Sequence, residues 1–300
     1  MSADIRFDGQ VVVVTGAGGG LGRSHALEFA RRGAKVVVND LGAAVDGSGG
    51  SSQAAEAVVA EITGAGGDAI ADGASVTSDA GVAAMVERTM ARWGRIDALI
   101  ANAGILRDKS FAKMEVADFA AVVDVHLMGA VKPLKAMWEI MRAQNYGRVV
   151  VTTSSTGLYG NFGQSNYGAA KLALVGLMNT LKLEGAKNDI RVNAICPVAA
   201  TRMTDTLMPP ELLSRLAPEH VTPGVVYLAS ADAPNGAILT AGAGVFALGQ
   251  MVETEGAYLG PRASAEAVRD QWTRITDRQG AEAYAAGMAQ TQKILRKSSA

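Results

Sequence analysis

Tyr167 and Lys171 stand four residues apart in SNYGAAKLALVG, within a stretch that reads as helix over 165–187. Residues at i and i+4 share one helical face, one turn apart. A free tyrosine, with a pKa of about 10, is a poor base at neutral pH. An ammonium beside it favours the phenolate and lowers that value, so the pair suits general acid–base chemistry. Ser154 ends the apolar run GRVVVTTS (147–154), ahead of the tyrosine. The carboxyl ends of strands are where an open α/β sheet binds its ligands, and a serine hydroxyl there can hold a substrate oxygen beside the phenol. Tyrosine and lysine at this spacing also occur on ordinary amphipathic helices. What argues against that bland reading is the company they keep.

The second candidate is the run Thr15-Gly16-Ala17-Gly18-Gly19-Gly20-Leu21-Gly22, between the β-branched strand QVVVVT (10–15) and an amphipathic helix (21–32). Gly16 allows a tight turn, Gly20 lets backbone approach a pyrophosphate, and Gly22 lets the helix pack close to the strand. The helix N-terminus, with Gly19, Gly20 and Leu21 around it, offers free N–H groups and a positive dipole end to phosphates. Asp40 follows the next strand, KVVVN (35–39). Its carboxylate can accept both ribose hydroxyls of an adenosine and repels a 2′-phosphate, and neither Gly19 nor Leu41 supplies a basic group for one. The expected cofactor is therefore NAD rather than NADP. Strand, glycine loop, helix, strand and acid occur in the required order, which a merely tight turn with a solvated aspartate does not explain.

These side chains need a scaffold to converge. After the first helix the sequence predicts a helix at 53–63, a weak strand at 68–72 and a helix at 79–93. RIDALIAN (95–102) is the next strand, and 116–143 forms one long helix or two. IRVNAIC (190–196) and AILTAG (237–242) follow as strands, the latter as the last of the sheet. Apolar strands separated by helices of about 10–25 residues mean a parallel sheet covered on both faces. Right-handed crossovers make it doubly wound. The expected organisation is a dinucleotide-binding catalytic domain over 1–260, with 261–300 adding two helices packed on the same domain. The glycine- and serine-rich segment 41–52 (LGAAVDGSGGSS) reads as an insertion after the second strand.

Composition narrows the classes. With 28 basic and 29 acidic residues the net charge is −1, which argues against nucleic-acid binding. Cys196 is the only cysteine, so no intrachain disulfide can form, and the three histidines are scattered, offering no metal cluster. The N-terminus is charged from the start, so no secretory leader is expected. Residues 233–252 carry no charge but are broken by Pro234 and several glycines, and read as strand and turn rather than a membrane span. Ser298-Ser299-Ala300 does not match the Ser-Lys-Leu peroxisomal address, and a cytoplasmic location is expected. The 35 glycines, about 12%, exceed the average of about 7% and suggest many close backbone approaches.

TGAGGGLG (15–22), Asn102-Ala103-Gly104, Ser154, and Tyr167 with Lys171 resemble the short-chain dehydrogenase/reductase family, over about 5–245. That resemblance implies a single Rossmann domain with seven parallel strands and a nicotinamide dinucleotide. It places Ser75 and Val76 beside the adenine, Asn102 and its neighbours near the adenosine ribose, and Pro197 and Thr201 at the nicotinamide carboxamide. It also implies that Lys171 binds the nicotinamide ribose. The family's fourth catalytic position, commonly asparagine, is His126 here. Its role runs mainly through a backbone carbonyl that holds a relay water, which histidine can still supply. A titrating imidazole that adds a second pH dependence is the alternative.

Within the family, VVNDLG (37–42), NAGILRDKSFAKM (102–114), VHLMGA (125–130) and GLYGNFGQSNYGAAK (157–171) resemble the (3R)-hydroxyacyl-CoA dehydrogenase subgroup, found as domains of peroxisomal multifunctional enzymes. The implied reaction is NAD-dependent oxidation of a (3R)-3-hydroxyacyl-CoA to the ketone. A 17β-hydroxysteroid or a steroid side-chain CoA thioester is the alternative substrate. A redox sensor that binds the dinucleotide without turnover is the non-enzymatic alternative, but such proteins tend to lose the tyrosine or lysine. The expected partners are a small-molecule substrate and further copies of the chain in a homodimer or homotetramer, with no nucleic acid and no membrane. Met203 and Met208 are candidates for lining an acyl pocket.

Overall fold

Val11–Val14, four consecutive valines, are wholly buried. Val12 and Val14 enter one apolar cluster with Phe29, Ile62 and Val225, while Val13 enters another with Met137, Leu174 and Met178. Successive side chains of a strand point to opposite faces, so both faces of this strand are covered. That is why it shows no polar alternation.

The computed structural model describes residues 4–200, 210–213 and 215–299. Its strands are β1 (Val11–Thr15), β2 (Lys35–Asn39), β3 (Asp68–Asp72), β4 (Ala98–Ala101), β5 (Gly147–Thr152), β6 (Ile190–Pro197), β7 (Ile238–Gly242) and β8 (Val245–Gly249). The helices that matter for the site are α1 (Gly20–Arg31), α2 (Gln53–Gly64), α3 (Asp79–Trp93), α4 (Val116–Val123), α5 (Gly129–Gln144), α6 (Ser155–Tyr159), α7 (Ser165–Glu184) and α8 (Thr222–Leu228). The sheet order is β3-β2-β1-β4-β5-β6-β7-β8, and β1 pairs in parallel with both β2 and β4. Strand order reverses direction there, and such a switch point opens a crevice at the carboxyl ends of the strands.

The α/β class and the doubly wound parallel arrangement are as expected, but the sheet has eight strands rather than seven. β7 is not the last. Ala243 and Gly244, with φ of 50° and 78°, connect it to β8. Two residues with positive φ make the hairpin turn that matches strand twist, and so short a connection can only reverse the chain. The added edge strand is therefore antiparallel.

The segment 116–143 forms two helices joined by a π-helical turn, Asp124–Met128. Two features break it. A Cβ on Gly129 would lie 2.6 Å from Val76 Cγ2, so close packing is required there. Pro133, one turn into α5, lacks the N–H that would bond back to residue 129 and crowds its carbonyl. Turns of this kind are often found at functional sites.

The chain divides into two compact units, Met1–Leu248 and Gly249–Ala300. The second holds three short helices, Ala265–Asp270, Trp272–Ile275 and Gly287–Ser298, where the sequence suggested two. Within it, Glu253 pairs with Glu282 in an antiparallel bridge and accepts from Lys293 Nζ at 2.9 Å. Among the described residues no helix is long and apolar enough to cross a membrane, and residues 238–249 of the uncharged stretch are β7, turn and β8.

Candidate active site

The glycine loop runs from β1 into α1, and Gly16, Gly18 and Gly22 each meet a different obstacle. Gly16 has φ of 65°, and a Cβ there would lie 2.8 Å from the Cα of Ala103. A Cβ on Gly22 would lie 2.1 Å from the carbonyl of Gly16. The helix can thus start against the strand only if residue 22 is glycine. At Gly19, by contrast, a Cβ would meet nothing within 4 Å. That residue is the N-cap of α1, with no side-chain cap and no acidic residue in the first turn. The first N–H groups of α1 thus have neither a capping side chain nor an acidic residue of the first turn beside them.

Asp40 closes the rim of this loop. Its carboxylate accepts from the amide of Gly18 at 2.7 Å and from the amide of Gly42 at 2.6 Å. A Cβ on Gly18 would lie 2.9 Å from Asp40 Cγ, a reason for glycine at 18 that the spacing alone does not reveal. Thr15 and Asn102 lock the loop from the other side. Thr15 Oγ1 accepts from the amides of Asn102 and Ala103 at 3.0 and 3.2 Å. Asn102 Nδ2 donates to the carbonyls of Thr15 and Gly16, both at 3.1 Å. Asn102, expected near the adenosine ribose, therefore also shapes the glycine loop. Val76 is buried against Gly129, and Ser75 is partly buried with its hydroxyl 2.9 Å from that of Thr77. Pro197 closes β6 at the same end of the sheet. Thr201, Met203 and Met208 lie outside the described residues.

Ser154 stands one residue beyond Thr153 at the end of β5 and caps α6, accepting from the amide of Thr156 at 3.2 Å. Its hydroxyl also lies near enough to the Tyr167 phenol to favour the phenolate. Lys171 is buried one turn along α7 from Tyr167, donates from Nζ to the Thr152 carbonyl at 2.6 Å, and lies 5.5 Å from the tyrosine ring centroid. Serine, tyrosine and lysine thus converge as the sequence suggested.

Their electrostatics differ from the simple expectation. Burial raises the Tyr167 pKa, and the nearby Ser154 hydroxyl only partly opposes it. Burial also pulls Lys171 down to about 7. The spacing suggested an ammonium that lowers the phenol. In the folded protein desolvation disfavours both charged forms, and it outweighs their mutual support. Burial thus favours the neutral form of both groups. Cys196 is buried nearby, and burial pushes its thiol up.

His126 sits in the π-helical turn, buried. Its ring packs edge-on against Tyr167 with centroids 5.1 Å apart. Nε2 lies 2.8 Å from the Ile105 carbonyl and 3.2 Å from its amide. The shorter contact places the ring proton on Nε2, donating to the carbonyl. Nδ1 is left buried with no hydrogen-bond partner among the described residues. Burial, then the Lys171 charge, holds the imidazole well below its usual range, which argues against a titration near neutral pH. His126 also dictates its neighbour, because a Cβ on Gly104 would lie 2.2 Å from His126 Cε1.

This contact gives a directional test. Gly104→Ala is expected to reduce kcat/KM by about tenfold or more through displacement of the imidazole and of Tyr167, an overpacking change of the kind that costs about 1–3 kcal/mol. Adding His126→Asn, which is shorter, is expected to recover most of that loss. Steady-state rates of the two single variants and the double variant check the coupling.

The fold and this arrangement define an oxidoreductase that acts on hydroxyl groups, and comparison places it in a family. The model for short chain dehydrogenase matches residues 10–211, and the chain belongs to that family. It is 49% identical over 274 residues to the short-chain type dehydrogenase/reductase Rv0148 of Mycobacterium tuberculosis, covering 91% of this chain and 96% of that one. It is 48% identical over 281 residues to the peroxisomal hydratase-dehydrogenase-epimerase of Saccharomyces cerevisiae, covering 92% of this chain but only 31% of that protein. The structure of full-length peroxisomal multifunctional enzyme type 2 from Drosophila melanogaster superposes with a TM-score of 0.83 at 40% identity, over 98% of this chain and 50% of that one. The resemblance to the (3R)-hydroxyacyl-CoA dehydrogenase domains is therefore carried by nearly the whole chain.

Sequence reasoning did not single out Thr15, Gln164, Asn166 or Arg107, which tie the site together. Gln164 Nε2 donates to Asp108 at 2.6 Å and its oxygen accepts from Thr156 Oγ1 at 3.0 Å. Asn166 Oδ1 accepts from the amide of Tyr167 at 2.8 Å. For Arg107, Gln164 and Asn166 the available signal was their position in the two stretches that carry the subgroup likeness, 102–114 and 157–171, and for Thr15 its place at the head of the glycine run.

Proposed function

We propose that the protein oxidises (3R)-3-hydroxyacyl-CoA thioesters to 3-ketoacyl-CoA with NAD. The observation that carries the reading is the convergence of Ser154, Tyr167 and Lys171 at the strand ends, beside a helix N-terminus whose rim holds Asp40. The subgroup likeness supplies the substrate class.

The loop fits a dinucleotide. The uncapped first turn of α1 suits a pyrophosphate, with Gly16, Gly19, Gly20, Leu21 and Gly22 around it. Asp40, fixed by two amides, keeps lone pairs for ribose hydroxyls and repels a 2′-phosphate. Ser75 and Val76 would flank the adenine, Asn102, Ala103 and Gly104 the adenosine ribose side, Pro197 the carboxamide, and Tyr167 and Lys171 the nicotinamide ribose. When bound, NAD supplies a hydride acceptor and a positive ring. Tyr167 then takes the substrate hydroxyl proton, and Ser154 holds the same oxygen. Lys171 supports the phenolate, and the His126 backbone carbonyl holds the relay water. Burial of Ser154, His126 and Lys171 around the partly buried Tyr167 limits competing water. The apolar groove between α5 and α7, lined by Val131, Leu134, Trp138, Leu177 and Leu181, supports self-association through these helices as a homodimer or homotetramer.

NADH formation against panels of (3R)- and (3S)-hydroxyacyl-CoA thioesters and of 17β-hydroxysteroids tests the reading. Turnover of the (3R)-thioesters is expected. Turnover of steroids alone overturns the substrate, and NADH binding without turnover of either panel overturns the enzyme. Asp40→Ala is expected to lower kcat/KM for NAD by about ten- to a hundredfold, since a hydrogen bond to a charged group contributes about 1.5–3 kcal/mol. It should also narrow the gap to NADP.

A further inference from the structure

Segment 41–52 accounts for four glycines that the dinucleotide loop does not use, and the structure shows what it touches. It begins at Asp40, whose Oδ1 accepts from Gly42, and is folded on itself by bonds from Ser51 to Leu41 and from Ala44 to Ser48. It then reaches residues more than fifty positions away. The amide of Leu106 donates to the Val45 carbonyl at 2.9 Å, and Arg107 Nε donates to the Asp46 carbonyl at 3.0 Å. A Cβ on Gly47 would lie 3.3 Å from Ile105.

Arg107 makes two further bonds. Nη1 donates to Asp118 Oδ1 at 3.2 Å on α4. Its backbone carbonyl accepts from Asn166 Nδ2 at 3.0 Å, and Asn166 in turn caps the amide of Tyr167. One residue thus joins the loop that leaves Asp40, a helix, and the first turn of α7. Ile105, two residues earlier, is the residue that His126 contacts.

We propose that Arg107 is a positioning residue that latches the 41–52 loop to the segment holding Tyr167 and His126, so that binding at Asp40 is felt at the tyrosine. An exposed ion pair would contribute little by itself. Two other features carry the latch. Its Nε bond goes to a loop carbonyl rather than to a carboxylate, and the planar guanidinium serves two partners at fixed angles. Removing the side chain strands no charge, because Lys109 Nζ also donates to Asp118, at 3.0 Å. The fold therefore survives the test. The proposal rests on the reading of Tyr167 as the acid–base group and of Asp40 as a dinucleotide ligand.

Hydrogen–deuterium exchange of the full chain, with and without NADH, tests it without any substrate. In Arg107→Ala, exchange over 41–52 and over 165–168 is expected to rise about tenfold relative to wild type, as local opening becomes easier. Arg107→Lys is expected to restore neither, because an ammonium cannot serve both partners with the same geometry. NADH should slow exchange at 165–168 in wild type and lose that effect in Arg107→Ala, while still slowing residues 16–22. Unchanged exchange over 41–52, a change confined to 41–52, or full rescue by lysine overturns the latch. An NADH titration that slows no segment of the wild type overturns the dinucleotide reading and leaves the Arg107 comparison standing.

Discussion

Tyr167→Phe is expected to lower turnover by about 10²–10⁴-fold, the range that positioned acid–base groups contribute, while NADH binding stays within about twofold of wild type. Phenylalanine preserves the ring that His126 packs against and that Lys171 faces. Only the hydroxyl is lost, and with it the influence of Ser154 on the phenol. A loss in kcat without a loss in dinucleotide affinity is therefore the signature. Steady-state turnover together with a fluorescence titration of NADH measures both. Full activity in this variant removes Tyr167 from the chemistry.

The electrostatics add a pH sign to the same experiment. Burial raises the Tyr167 pKa, so the phenol is protonated at neutral pH, ready to donate in reduction and unready to accept in oxidation. Oxidation by the wild type should therefore accelerate as pH rises from neutral into the alkaline range, and reduction should not. Tyr167→Phe should flatten the oxidation profile. A wild-type oxidation rate independent of pH from neutral to alkaline contradicts this ordering.

Much of this site could be read from residues alone because its logic is local. Tyr167 and Lys171 meet through helical spacing. The glycine loop is read from a strand on one side and a helix on the other, and Asp40 from the strand that follows. The features that could not be read are non-local. β8 is a short apolar run between Gly244 and Gly249, and only the turn geometry at Ala243 and Gly244 turns it back onto β7. The π-helical turn at 124–128 keeps the apolar spacing of a continuous helix, and it adjoins the close packing of Gly129 on Val76, far away in sequence. The glycines of 41–52 have no meaning until Val45 and Asp46 are seen to bind Leu106 and Arg107. The direction of the Tyr167 and Lys171 shifts also depends on burial, which spacing does not encode.

That burial makes Lys171 the most informative position for stability. Lys171→Met is expected to reduce turnover by about a hundredfold or more, through loss of the charge that supports the phenolate, and at the same time to raise the melting temperature near pH 7. The sign follows from linkage. The lysine pKa falls from 10.5 to about 7 in the folded protein. Above the higher value both states hold a neutral amine. Between the two values only the unfolded chain binds the proton, so folding stability rises with pH across this window. Below about 7 the folded protein carries the charge at its full penalty. Each pKa unit corresponds to about 1.4 kcal/mol, so the penalty at neutral pH is several kcal/mol. Methionine keeps the unbranched stem and removes the charge, but it leaves the Thr152 carbonyl without its donor at 2.6 Å, a loss of about 1–3 kcal/mol. Desolvation is the larger of the two, so the variant should be the more stable protein at pH 7, with an advantage that shrinks towards pH 10.5. Melting curves of both proteins across pH 6–10 decide it. A melting temperature below wild type at pH 6 means that the bond to Thr152 outweighs the buried charge. A higher one means that the fold gives up stability to hold an amine where the chemistry needs it.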